Sequence, residues 1–225
     1  MKRPARQGLY DPQFEHESCG VGFVVNMKGK TSHEIVEQGL QILVNLEHRG
    51  ACGCEENTGD GAGILIQLPH KFLAAVAKEE HINLPAPGHY GVAMVFLPPE
   101  KQIRQKIEDR FEQIVRAEGQ KFLGWRTVPT DNSTLGETAK SEEPEVRMAF
   151  VGRNPAIKDD LAFERKLYVI RHRLFNEVRY AGAPGGSFFY IPSFSSRTIV
   201  YKGMLTTAQV QQYYPDLSDP RMESA

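Results

Sequence analysis

Strands alternating with long helices predict a β-sheet covered by helices, in layered α/β/α packing. Three observations carry that expectation. Short apolar runs rich in β-branched residues, such as Tyr90–Leu97 and Val146–Val151, are bounded by Gly, Pro or polar residues, as buried strands are. Between them stand segments whose apolar residues recur at helical spacing, as in Ile103, Ile107, Phe111, Ile114 and Val115. No repeat, low-complexity tract or dividing linker interrupts this order over 225 residues, a length sufficient for a sizeable core.

The elements follow in order. Gly20–Val25 reads as a buried strand, closed by a turn at Lys28-Gly29-Lys30. Thr31 or Ser32 caps a helix with the apolar face Ile35, Val36, Leu40, Leu43 and Val44, ending near His48. A glycine-rich turn at residues 57–63 leads into a strand at Ile64–Leu68. Pro69 suits the first turn of a helix through Ala77, where a missing N–H is harmless. Tyr90–Leu97 is a buried strand, and Pro98-Pro99 closes it ahead of the amphipathic helix noted above. Phe122–Val128 is a strand, residues 129–145 a long polar surface loop, and Val146–Val151 a further strand. Asp159 or Asp160 caps a helix carrying Phe163, Leu167, Ile170, Leu174 and Val178. Ser187–Phe194 and Thr198–Tyr201 are expected as a hairpin around Ser195-Ser196-Arg197, and Thr206-Thr207 begin a short helix.

Composition excludes several classes of function. Twenty-seven basic and 28 acidic residues leave a net charge of −1, without the basic excess of a nucleic-acid or membrane-surface binder. No apolar stretch is long enough to span a bilayer. Lys2, Arg3 and Arg6 are not followed by a hydrophobic segment, so the start is not a secretory signal. Asp11, Glu15 and Glu17 argue against a mitochondrial presequence. Three cysteines, an odd and low number, fit a reducing cytoplasm better than a disulfide framework.

Cys19 is the most informative residue. It stands in Glu17-Ser18-Cys19-Gly20-Val21-Gly22-Phe23, and residues 1–18 read as a removable leader ahead of a domain at 19–225. Cleavage after the small Ser18 puts a thiol and an α-amine on one carbon, a nucleophile with its own base attached. Terminal amines and cysteine thiols have closely matched proton affinities, so no separate histidine is required. The competing reading is a buried structural cysteine at a strand start.

Arg49, followed by Gly50 and Ala51, is either a helix-end surface cation or a guanidinium aimed into a cleft to pair with a substrate carboxylate. Thr58-Gly59-Asp60-Gly61-Ala62-Gly63 is either a tight packed turn or a loop lining a substrate site at Gly59, Asp60 and Gly61. Its spacing is not the dinucleotide fingerprint. Gly29-Lys30-Thr31 resembles the tail of a phosphate loop, but Val24 stands where the first glycine is needed, which excludes it. Cys52 and Cys54 with Cys19 and His48 lack a second closely spaced ligand pair, so no metal site is expected. Asn132-Ser133-Thr134 matches a glycosylation acceptor, but without a secretory signal it reads as polar loop.

Cys19-Gly20-Val21-Gly22-Phe23, Leu46-Glu47-His48-Arg49-Gly50-Ala51 and Thr58-Gly59-Asp60-Gly61-Ala62-Gly63-Ile64 together resemble the start of the glutamate synthase large chains. The likeness continues through Val128-Pro129-Thr130-Asp131, Phe163-Glu164-Arg165-Lys166-Leu167-Tyr168 and the run from Ser195 to Leu205. It implies a class II glutamine amidotransferase domain of α+β class, with the N-terminal-nucleophile hydrolase fold, a four-layer α/β/β/α sandwich. It implies that Cys19 is the nucleophile, that Arg49 grips the α-carboxylate of L-glutamine, and that glutamate and ammonia are the products. No cofactor is implied for this domain. For the full enzyme the resemblance implies FMN and an iron–sulfur cluster in downstream synthase domains, where ammonia meets 2-oxoglutarate. A small reductase subunit or ferredoxin is the implied electron-donating partner. A leader of 18 residues is short for a plastid import signal, so a bacterial cytoplasm is expected in preference to a plastid. The family's His-Asn-Gly-Glu oxyanion motif has no counterpart before Ala225. The domain is therefore expected to be incomplete at its C-terminus, and the 225-residue chain poorly active, since one lost oxyanion donor costs roughly 10²–10³ in rate.

Overall fold

The computed structural model describes residues 6–8, 19–49, 55 and 57–225, the side chain of Arg49 excepted. Its elements are α1 (His33–Asn45), β1 (Ala62–Gln67), α2 (His70–Glu79), β2 (Tyr90–Leu97), α3 (Lys101–Ala117), β3 (Lys121–Thr127), α4 (Glu137–Ser141), β4 (Glu145–Gly152), α5 (Asp160–Leu174), β5 (Tyr190–Ser195), β6 (Thr198–Gly203) and α6 (Gln209–Tyr213). A 3₁₀ turn at Glu47–Arg49 follows α1, and α5 runs on into a π-helical stretch at Phe175–Tyr180. The strands form two antiparallel sheets, one of order β3-β4-β2-β5 and one pairing β1 with β6. This corrects the single-sheet α/β/α expectation.

The sequence of β2 explains why the larger sheet is central. Side chains alternate faces along a strand. Tyr90, Val92 and Met94 join one core, and Ala93, Val95 and Leu97 join another. An apolar residue at nearly every position is what a strand covered on both faces requires. On one face lie α3 and α5. Ile107, Phe111, Ile114 and Val115 of α3 meet Phe163, Leu167, Ile170 and Leu174 of α5 in that core, each at helical spacing. Full burial of one such side chain contributes roughly 1.5–3 kcal/mol. The other face shares its core with Ile64 and Ile66 of β1, Ile199 and Tyr201 of β6, and the buried sides of α1 and α2.

Local signals account for the element ends. Asp159 caps α5 by accepting from Leu161 N at 3.2 Å and Ala162 N at 2.9 Å. Ser32 makes no side-chain cap at α1. Its backbone instead exchanges hydrogen bonds with Ser224, Ser32 N to Ser224 O at 2.9 Å and Ser224 N to Ser32 O at 3.1 Å. His33 Nδ1 lies 2.8 Å from Met222 O, and Met222 is fully buried. The C-terminal segment is thus tied to the start of the first helix.

Three further expectations are corrected. Gly20–Val25 is not a buried strand: the segment has no strand assignment, and Val21, Phe23 and Val25 are 91%, 87% and 57% exposed. It lies against α1, with Gly22 so close to Ile42 that a Cβ would stand 2.4 Å from its Cγ2. A strand needs a paired neighbour, and this segment pairs with neither sheet. The Ser195-Ser196-Arg197 turn does not close a simple hairpin, because β5 pairs with β2 and β6 with β1. Glu164 of α5 holds the turn, accepting from Ser196 N at 2.7 Å and Ser195 Oγ at 3.2 Å. The expected loop at 129–145 contains the short helix α4.

Candidate active site

The glycine-rich turn brings two stretches of backbone together. At Gly59 a Cβ would stand 2.3 Å from Leu205 O and 2.6 Å from Thr206 N, so only glycine allows the approach. Gly61 has φ 131, a conformation side chains rarely adopt. Together they turn the chain into β1 alongside the end of β6, and Asp60 is left exposed between them.

Glu55 anchors the near side of this turn. Its carboxylate accepts from Thr58 Oγ1 and Thr138 Oγ1, both at 2.9 Å, and from Thr138 N at 3.2 Å. The hydroxyl of Thr58, then that of Thr138, holds the carboxyl below its usual range. Because Thr138 lies in the first turn of α4, Glu55 also takes up one of the N–H groups that have no partner within the helix.

Beside the turn lies a cleft of about 1080 Å³, at the upper end of the roughly 300–1,000 Å³ typical of small-molecule sites. Cys19, Gly20, Thr58, Asp60 and Gly61 line it, and Leu43 and Leu46 at the end of α1 form part of its wall. Cys19 is solvent-exposed, which sets aside the buried structural reading. Lys202 also lines the cleft, its Nζ 4.9 Å from the centre of the Tyr190 ring. Arg179 of the π-helical stretch lines it too, with Nη1 donating to Phe189 O at 2.9 Å. Tyr213 and Glu143 line it as well, and Tyr213 donates its hydroxyl to Glu143 Oε1 at 2.8 Å. Burial, then Glu143, pushes that hydroxyl's pKa up.

The sequence-derived residues thus divide. Cys19, Asp60 and Gly61 line one cleft. Gly59 is buried against Leu205. Arg49 ends the 3₁₀ turn after α1, and its side chain lies outside the described residues. The segment 1–18 expected as a leader, apart from residues 6–8, lies outside them too, as do Cys52 and Cys54. Among the described residues no group of three or more His, Cys, Asp or Glu side chains is placed to hold a metal ion. Sequence reasoning missed Glu55 and Gln209, because each ties a near neighbour to a partner far along the chain and neither belongs to a motif.

An exposed cysteine in the wall of a cleft built from a glycine turn defines a candidate thiol-nucleophile site. Residues 19–225 match the family described as glutamine amidotransferases class-II, and the match begins at Cys19. The chain belongs to the class II glutamine amidotransferases, whose fold is that of the N-terminal-nucleophile hydrolases; the α+β architecture with antiparallel sheets agrees with it. It is 47% identical over 222 residues to the glutamate synthase (NADPH) large chain of Bacillus subtilis (strain 168), covering 99% of this chain and 14% of that protein. To glutamate synthase (NADH) of Saccharomyces cerevisiae it is 37% identical over 231 residues, covering 98% of this chain and 10% of that one. To ferredoxin-dependent glutamate synthase 2 of Synechocystis sp. it is 37% identical over 206 residues, covering 92% and 13% respectively. The chain therefore spans only 10–14% of the length of these relatives.

Proposed function

We propose that this chain is the glutaminase part of a glutamate synthase, acting on L-glutamine through Cys19 after removal of residues 1–18. The observation that carries the reading is the exposed Cys19 thiol lining the same cleft as Asp60 and Gly61. The Cys19 thiol gives its proton to the α-amine of the new N-terminus, and the thiolate attacks the side-chain carbonyl carbon of glutamine. Collapse of the tetrahedral adduct expels ammonia, which takes up that proton. Water then adds to the γ-glutamyl thioester, and breaking the C–S bond releases glutamate and regenerates the thiol. Arg49 pairs with the substrate α-carboxylate, as a planar guanidinium does well. Gly59, Asp60 and Gly61 shape the wall, with Asp60 offering an anion to the substrate ammonium group.

In the full enzyme the ammonia passes to 2-oxoglutarate in downstream synthase domains. FMN and an iron–sulfur cluster belong to those domains. The relatives' names divide between NAD(P)H and ferredoxin, so the electron-donating partner is a small reductase subunit or a ferredoxin. A bacterial cytoplasm suits the low, odd number of cysteines. Among the described residues no helix is long and apolar enough to cross a membrane.

Mass spectrometry of the natural polypeptide, with and without a chloroketone analogue of glutamine, tests the reading. A chain starting at Cys19 and alkylated there is the expected result. Full glutaminase activity from a polypeptide that retains Met1, with Cys19 unlabelled, overturns it.

A further inference from the structure

The turn that carries Asp60 and Gly61 is held from behind by a single buried amide. Gln209, on α6, is 7% exposed. Its Oε1 accepts from Thr206 N at 2.9 Å. Its Nε2 donates to Asn57 O at 3.1 Å and to Thr134 O at 2.8 Å. One side chain therefore joins three stretches that are distant in sequence. Two of its bonds, to Asn57 and Thr206, flank the place where Gly59 presses on the backbone of Leu205 and Thr206. The close backbone contact and the amide bonds are parts of one fastening. Gly136 N adds a longer bond of 3.4 Å to the same Asn57 carbonyl.

We propose that Gln209 is a positioning residue for the amidotransferase reaction, holding Asp60 and Gly61 in place along the cleft that Cys19 also lines. This rests on the reading of that turn as substrate-lining. Gln209 does not reach the substrate itself: its polar atoms are committed to Thr206, Asn57 and Thr134. It acts by keeping the wall in its binding geometry before glutamine arrives. A loop already ordered does not lose its freedom on binding, and the gain appears in affinity. An apolar residue at 209 leaves two carbonyls and one N–H without this partner. The turn is then secured mainly by Glu55, on its more exposed side.

The test uses Gln209→Glu, Gln209→Met and Asp60→Ala in the natural polypeptide, with glutamine kinetics and hydrogen exchange read by mass spectrometry. Gln209→Glu is nearly isosteric; it keeps an acceptor for Thr206 N but turns an oxygen toward two carbonyls in place of a donor. Gln209→Met keeps the stem and removes all three bonds, a second route should the charged variant fold poorly. Expected are faster exchange at residues 57–61 and a glutamine KM raised about tenfold, with kcat changed less than about twofold. In an Asp60→Ala background the same substitutions add little further, because the group being positioned is gone. Faster exchange with unaltered KM, in an enzyme that Asp60→Ala does impair, overturns the role of Gln209 alone. So does a KM effect that is fully additive with Asp60→Ala. An Asp60→Ala enzyme with native KM overturns the substrate-lining reading beneath the proposal.

Discussion

Arg126 and Asp216 are charges with almost no access to water. The side chains are 8% and 4% exposed and pair through two bonds, at 2.7 and 2.8 Å. Tyr201 adds a third donor to Asp216 at 3.3 Å, and the guanidinium lies 5.4 Å from the centre of the Phe72 ring. Removing one partner strands the other charge in a medium that solvates it poorly. Arg126→Met is therefore expected to cost about 3–5 kcal/mol, and the double variant Arg126→Met/Asp216→Leu less than the two single losses combined. Urea denaturation of the four proteins checks this. Neither charge could be placed inside from the sequence: Arg126 interrupts an apolar strand, and its partner is 90 residues away. Cys19, Asp60 and Gly61 were legible because unusual residue types cluster in short motifs. Gln209 was not, since a glutamine in a short helix looks like solvated surface until its partners are in place.

At the scale of elements, α3 and α5 are joined at one end by a single carboxylate. Glu118, just past α3, meets Arg173 at 2.8 Å and Lys166 at 3.0 Å, both on α5. Arg173, then Lys166, holds the carboxyl below its ordinary value of 4.5. A depressed carboxyl contributes stability above its unfolded value and loses it as pH falls through the folded one. Glu118→Gln is expected to be less stable than the native chain at pH 7, with the difference shrinking below about pH 4.5. Urea midpoints measured across that range decide it. Element positions were largely legible, because β2, α3 and α5 repeat apolar residues at the period of the structure they adopt. Sheet membership was not. Nothing local in Ser195-Ser196-Arg197 states that the strands on either side pair with β2 and β1 instead of each other. The Gly20–Val25 segment carries the composition of a strand, but pairing is decided by neighbours.

Across the described residues as a whole, Met222 and Glu223 close the core that α1 opens. Met222 is fully buried beside the elements that pack α1 and α2, and Glu223 pairs with Lys71 of α2 at 2.9 Å. Met222→Ala is expected to cost about 2–5 kcal/mol, a large part of the stability of a domain this size. Its effect on the thermal midpoint should exceed that of Met204→Ala, since Met204 is 63% exposed. The fastening between His33 and Met222 spans 189 residues of chain. Contacts so distant in sequence form late, since the intervening polypeptide must first be brought into order. During synthesis on the ribosome, α1 emerges long before the segment that secures it, and must wait uncovered while the 189 residues from His33 to Met222 are made.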